Sequence, residues 1–208
     1  MGLPGFGRAA AISIVVTLLG CGTVRQVTEA LIGIERLQFR LHGIRDFTLA
    51  GIPLAQRQTV GDVTVAEATQ LLTFYRRGTL PAEFTVEIAV RNPNDGREGR
   101  RRIPITLTEM EWRLLIDAVP TVTGSLPQPI EVPAAGEAIV FPLRVRMDLY
   151  QFFYQRHYED VLRLALDIAG VGGDASRVTV EVQPTLSTPL GRLRYPQPVQ
   201  IVQKEFRP

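Results

Sequence analysis

At 208 residues the chain is long enough for one domain with a substantial core and short for two. Its composition, 45% hydrophobic and 21% charged, excludes a disordered chain, which lacks the apolar surface needed to offset ordering entropy. Lys and Arg number 23 against 21 Asp and Glu; the net charge of +2 gives no broad field for steering toward DNA or RNA, and nucleic acid is not expected as a partner.

The first predicted element is an address. Met1–Gly7 is short, Arg8 adds one positive charge, and Ala9–Leu19 is an apolar run interrupted only by Ser13 and Thr17. A run of this length is too short to cross a bilayer as a helix but suits the apolar region of a signal peptide. It ends in Leu18-Leu19-Gly20-Cys21, which resembles the lipobox of bacterial lipoproteins. The resemblance implies cleavage before Cys21, diacylation of its thiol, and usually acylation of the new amino terminus. Gly22 follows where enteric inner-membrane lipoproteins carry aspartate, so the expected site is the outer membrane, facing the periplasm. Cys21 is the single cysteine, which excludes an internal disulfide. Gly22 to about Glu35 reads as a tether of at most about 50 Å. The predicted division is therefore 1–20 signal peptide, 21–35 lipidated cysteine and tether, and 36–208 a single domain.

Within the domain, Phe47–Leu49 is a weak strand candidate. Thr64-Val-Ala-Glu67 is a capping-box pattern that opens a helix near 64–77 through Leu71, Leu72 and Tyr75, closed by Gly78. The clearest strand is Phe84–Arg91, where Phe84, Val86, Ile88 and Val90 share one face. It ends in Asn92-Pro93-Asn94, a strand terminator: Pro93 pushes Asn92 toward extended backbone, and both asparagines can bond local backbone groups. Arg97, Arg100, Arg101 and Arg102 follow in one loop. Such a run is most often a solvated hairpin tip; the alternative is contact with anionic lipid headgroups or a partner.

Ile103, Ile105 and Leu107 share one parity, and Met110, Trp112, Leu114 and Ile116 the other, which predicts a bulge near Thr108 and Glu109. Ile139–Met147 and Val178–Val182 alternate cleanly, and Pro198–Val202 is a weaker strand. One long helix is predicted near 149–169, capped by Asp148 and ended by Gly170, with Phe153, Tyr154, His157, Tyr158, Val161, Ala165 and Ile168 in one stripe. That stripe is expected to cover the sandwich, with His157 a partly buried packing residue, in preference to a partner- or membrane-binding face. Strands separated by Pro- and Gly-rich turns indicate an all-β sandwich or barrel with added helices, not a βαβ fold.

No constellation argues for catalysis. Ser125, Ser176 and Ser187 lie in turn-like contexts without a GxSxG elbow, and His42 and His157 have no companion ligands for a metal. Gly170-Val-Gly-Gly173 follows a helix where a phosphate loop would open one. Glu109 and Glu111 flank core positions and are expected as a solvated outer row, not a glycosidase pair. No cofactor and no enzymatic activity are expected.

The order of these motifs resembles a known family. The alternating strand ending in Asn92-Pro93-Asn94, then Ile105-Thr-Leu107, Trp112–Asp117 and Ile139-Val-Phe-Pro-Leu143, is similar to the water stress and hypersensitive response (WHy) domain of the type 2 late embryogenesis abundant proteins. Ser187–Pro196 resembles the final hairpin of bacterial members. The helix near 64–77 reads as an insertion, and Ala118 stands where the family usually has glycine. The resemblance implies an immunoglobulin/fibronectin type III-like antiparallel sandwich, an association with desiccation or other envelope stress, and no catalytic residue; Asn92, Pro93 and Asn94 carry over as a structural signature. The expected partner is the membrane, through the lipid anchor. A protein or lipid recruited in the envelope is the alternative, and the sequence leaves oligomeric state open.

Overall fold

The computed structural model describes residues 37–54, 57, 60–94, 102, 104–134, 138–170, 177–188 and 191–202. Ten strands are found there: β1 (Gln38–Leu49), β2 (Ile52–Pro53), β3 (Pro81–Arg91), β4 (Ile105–Ile116), β5 (Val119–Ser125), β6 (Ile130–Val132), β7 (Ile139–Asp148), β8 (Val178–Thr188), β9 (Gly191–Arg194) and β10 (Val199–Ile201). Three α-helices accompany them: α1 (Val65–Arg76), α2 (Leu149–Phe153) and α3 (Tyr158–Ile168).

The strands form two antiparallel sheets, ordered β2-β1-β3-β7 and β10-β8-β4-β5. In the second, β6 extends the β5 edge along β4 and β9 extends the β10 edge along β8. The chain crosses to the second sheet between β3 and β4, returns to the first between β6 and β7, and crosses again between β7 and β8. This is the Greek-key exchange of an immunoglobulin/fibronectin type III-like sandwich.

Alternation explains the core. Phe84, Val86 and Ile88 on β3 lie opposite Val145, Leu143 and Phe141 on β7, all buried. Met110, Trp112, Leu114 and Ile116 face them from β4, and Val178, Val180 and Val182 from β8. Each such side chain removed from water contributes about 1.5–3 kcal/mol. The parity change in β4 appears where expected, as a register shift between Leu107 and Glu109. Gly124 of β5 lies opposite Trp112, and a Cβ there would fall 2.3 Å from the indole. Only a glycine leaves room for that ring.

Pro184 occupies a central strand, where a missing N–H normally disqualifies proline. The neighbouring edge is split at this point: β10 pairs with Val180–Val182 and β9 with Thr185–Thr188. The carbonyl of Pro184 accepts from Tyr195 N–H at 2.9 Å across the gap.

The helices close one end of the sandwich. Thr64 and Glu67 form the predicted reciprocal cap of α1. Asp148 caps α2, its carboxylate accepting from Tyr150 N–H at 3.0 Å and from Leu80 N–H at 2.6 Å, which ties β7 to the start of β3. The expected single helix over 149–169 is corrected: it is two, α2 and α3, parted at Tyr154–His157 with His157 in extended backbone at ψ 153°. Tertiary contacts impose the break. The Arg156 carbonyl accepts from Tyr75 Oη of α1, and its guanidinium lies 4.9 Å over the Phe153 ring. Phe153, Val161, Leu164, Ala165 and Ile168 still bury themselves against the sheets.

Candidate functional site

Asn92, Pro93 and Asn94 stand at the end of the sandwich opposite the helices, where β3 stops. Asn92 is 1% exposed and Asn94 8%. Asn92 Oδ1 accepts both the backbone N–H of Asn94 at 3.1 Å and its side-chain Nδ2 at 3.0 Å. Asn92 Nδ2 donates to the carbonyl of Val132 at 3.4 Å, and its backbone bridges Ala134 in parallel. Since β3 and β6 belong to different sheets, the motif does more than terminate a strand. It fastens the two layers where their strands end, satisfying polar groups that burial would otherwise leave at a cost of about 1–3 kcal/mol each.

The loop that follows returns at Ile105. Arg102 is exposed, while Arg97, Arg100 and Arg101 lie outside the described residues, as does Cys21. Glu109 and Glu111 form the solvated outer row expected of them: Arg192 pairs with Glu109 at 2.8 Å and Arg194 with Glu111, both from β9.

The helical end holds two groupings that sequence reasoning did not find. Asp117 accepts Arg156 Nη1 at 2.7 Å and Arg177 Nη1 at 3.1 Å, and Arg177 Nε reaches Asp167 at 3.0 Å. One carboxylate thus joins the β4–β5 turn, the α2–α3 junction and the start of β8. These partners are separated by 39 and 60 positions, so no local spacing reports them. An open groove of about 310 Å³ beside this clamp is lined by Arg156, Asp160, Arg163, Leu164 and Arg177.

The second grouping is aromatic. Tyr75 of α1 meets the rings of Tyr150 and Tyr158 edge-on, at 5.1 and 5.5 Å between centroids. Tyr158 Oη donates to the Ala68 carbonyl at 3.1 Å. Burial raises the hydroxyl pKa of both Tyr75 and Tyr158; Tyr150 and then Glu159 add to it for Tyr75, and Glu159 for Tyr158. Tyr154 is 56% exposed and His157 is exposed. The expectation that His157 packs is therefore corrected: at the helix break it turns outward as the N-cap of α3 without a side-chain cap bond.

No family model matches the chain, and no curated protein matches it either. Among solved structures, it is similar to the solution structure of a protein described as a candidate late embryogenesis abundant (LEA) protein, at 13% identity and a TM-score of 0.36, covering 89% of this chain and 82% of that one. It is also similar to the crystal structure of a protein from Archaeoglobus fulgidus, at 15% identity and a TM-score of 0.29, covering 60% of this chain and 87% of that one.

Proposed function

We propose that the protein is a membrane-anchored envelope lipoprotein, non-catalytic, whose late embryogenesis abundant type 2 (WHy-like) sandwich protects nearby proteins or membrane during desiccation or other stress. The observation that carries this reading is where the motifs of the resemblance fall in the fold. Asn92 and Asn94 fasten the two sheets, Trp112 fills the core against Gly124, Asp117 gathers the helical end, and Ser187–Pro196 includes the last residues of β8 and all of its partner β9. Residues quoted for a family signature act here as joints, which supports a role for the fold as a whole more than for any reacting group.

A second reading is a binding module that recruits an envelope protein. The exposed Tyr154 beside the Tyr150 ring, 6.5 Å between centroids, favours it, since tyrosine is enriched at interface centres.

The two readings separate in a drying assay. A desiccation-sensitive enzyme is dried and rehydrated with the chain from residue 22 onward, or with an equal mass of an inert globular protein. Direct shielding predicts clear excess recovery that keeps rising with mass ratio. Recovery no better than the control rejects shielding and leaves capture of a specific partner, which saturates.

A further inference from the structure

We propose that the outer face of the β2-β1-β3-β7 sheet docks on an anionic lipid surface, with its strands lying along that surface. The contact does not depend on acylation of Cys21.

The two sheets turn different charges outward. In the β10-β8-β4-β5 sheet, Arg113, Arg192 and Arg194 are each met by a carboxylate, from Glu181, Glu109 and Glu111, and Glu131 on β6 adds a further negative charge. That face is slightly acidic. In the other sheet the outward positions carry Arg40 and Arg45 on β1, Arg91 on β3, and Arg144 and Arg146 on β7. Two of their counter-charges stand on the middle strand, where Glu87 pairs with Arg45 at 2.9 Å and Glu83 with Arg146 at 3.3 Å. Asp148, at the helical corner, is engaged by the N–H groups of Leu80 and Tyr150, and Asp46 stands in the β1 bulge. Exposure widens the difference. The side chains of Arg45 and Arg146 are 64% and 82% exposed, whereas that of Glu87 is 15%. Arg91 and Arg144 are exposed as well, so guanidinium dominates what solvent meets on this face.

Register fixes the spacing. Thr85 of β3 lies between Arg45 and Arg144, and Glu83 between Thr48 and Arg146. Arg45 and Arg144 are therefore two strand spacings apart, about 10 Å, and Arg91 stands about 27 Å along β3 from Glu83. Charges this dispersed outreach any single small anion. They suit a layer of many anions free to move beneath them, as lipid headgroups are. Among the described residues Arg144 has no ion pair or hydrogen bond, so its charge is open to such a layer. On the same strand Val140 is 42% exposed and Pro142 is exposed. Apolar groups beside arginines match the boundary between headgroups and acyl chains, whereas an acidic protein face would leave them without a counterpart. Near an anionic surface each such charge strengthens association about fivefold.

The test is flotation of the full chain carrying Cys21→Ser, which no acyl chain can hold, with phosphatidylcholine vesicles and with vesicles that also contain phosphatidylglycerol. Excess binding to the anionic vesicles is expected, falling as salt rises. R45Q/R144Q/R146Q should weaken that excess about a hundredfold. R113Q/R192Q/R194Q removes the same charge from the opposite face and should leave most of it. Equal loss in the two triple variants, or loss in neither, overturns the inference. So does an unaltered chain that binds both vesicles alike; saturable binding to polyglutamate would then assign the face to an acidic protein. Single variants at Arg144 break no ion pair and so spare the fold. Arg144→Glu should weaken anionic binding by more than the fivefold expected of Arg144→Gln. Arg144→Lys should retain it, because charge and not a fixed hydrogen-bonding fork carries the contact. Arg144→Glu that floats like the unaltered chain rejects the docking face.

Discussion

At the β4–β5 turn, Asp117 and Ala118 both adopt left-handed backbone, with φ of +50° and +61°. A two-residue hairpin turn of this hand prefers Asn or Asp first and glycine second, because a Cβ at positive φ crowds its own carbonyl. Asp117 fits the first place, and its strain is offset by two arginines on its carboxylate. Ala118 has no such compensation. Ala118→Gly is expected to stabilise the domain by about 0.5–1 kcal/mol, the relieved strain exceeding the extra freedom of the unfolded chain. A denaturant midpoint followed through Trp112, the only tryptophan, checks it; an unchanged or lower midpoint would mean the turn carries no strain at this position.

The elements differ in how plainly the chain announces them. β3, β7 and β8 bury one face against the opposing sheet, so strict alternation found all three, and it found the bulge in β4. Most of β1 was hidden because its register shifts twice, between Leu41 and Gly43 and between Arg45 and Thr48, which interrupts the burial alternation from residue 42 to 46 and separates Leu37, Phe39 and Leu41 from Phe47 and Leu49. β5 was hidden for another reason: it lies at an edge and buries no residue fully, leaving nothing to pattern. The α2–α3 break was invisible because Phe153, His157, Val161 and Ala165 keep helical spacing straight through it. The Asn92–Val132 contact was likewise beyond reach, since a local turn and a cross-sheet fastening call for the same asparagine.

The helix junction carries a prediction of its own. Tyr75 and Tyr158 donate to the carbonyls of Arg156 and Ala68, and both hydroxyl pKa values are raised above the ordinary 10.0. A raised folded-state value means this stabilisation is complete below pH 10 and is lost as pH climbs through the folded pKa, when the phenolates can no longer donate. Alkaline unfolding of α1 away from α3 should therefore begin above pH 10. Tyr75→Phe should cost about 1 kcal/mol at neutral pH and weaken the alkaline transition, as near-ultraviolet circular dichroism would register. At the other end of the scale, Glu67 has a lowered pKa, chiefly from the Thr64 backbone bond. Its cap therefore stabilises α1 above the usual carboxylate range and fails as pH falls through the depressed value.

At the scale of the whole molecule, the exposed edges decide whether a sandwich stays single. Among the described residues, β7 pairs only with β3, and β5 only with β4. Each carries a proline, Pro142 and Pro120, and β7 adds Arg144 and Arg146 on its outer face. Prolines and charges on an edge deny an incoming strand its donors and its apolar contacts. Pro142→Thr should leave the fold intact while promoting self-association at high concentration; sedimentation showing the same species as the unaltered protein would assign that protection elsewhere.

The first and last strands also meet, Leu41 N–H donating to the carbonyl of Val202 at 3.3 Å. That closure has a consequence in time. A chain that emerges amino end first has β1 waiting for a neighbour encoded more than 150 positions later, as Leu41 and Val202 are placed. Through that interval β1 can pair with β3, but the side that faces β10 stays open. Covering of that edge therefore waits for residues 199–202, and loss of β10 alone would leave the β1 edge exposed.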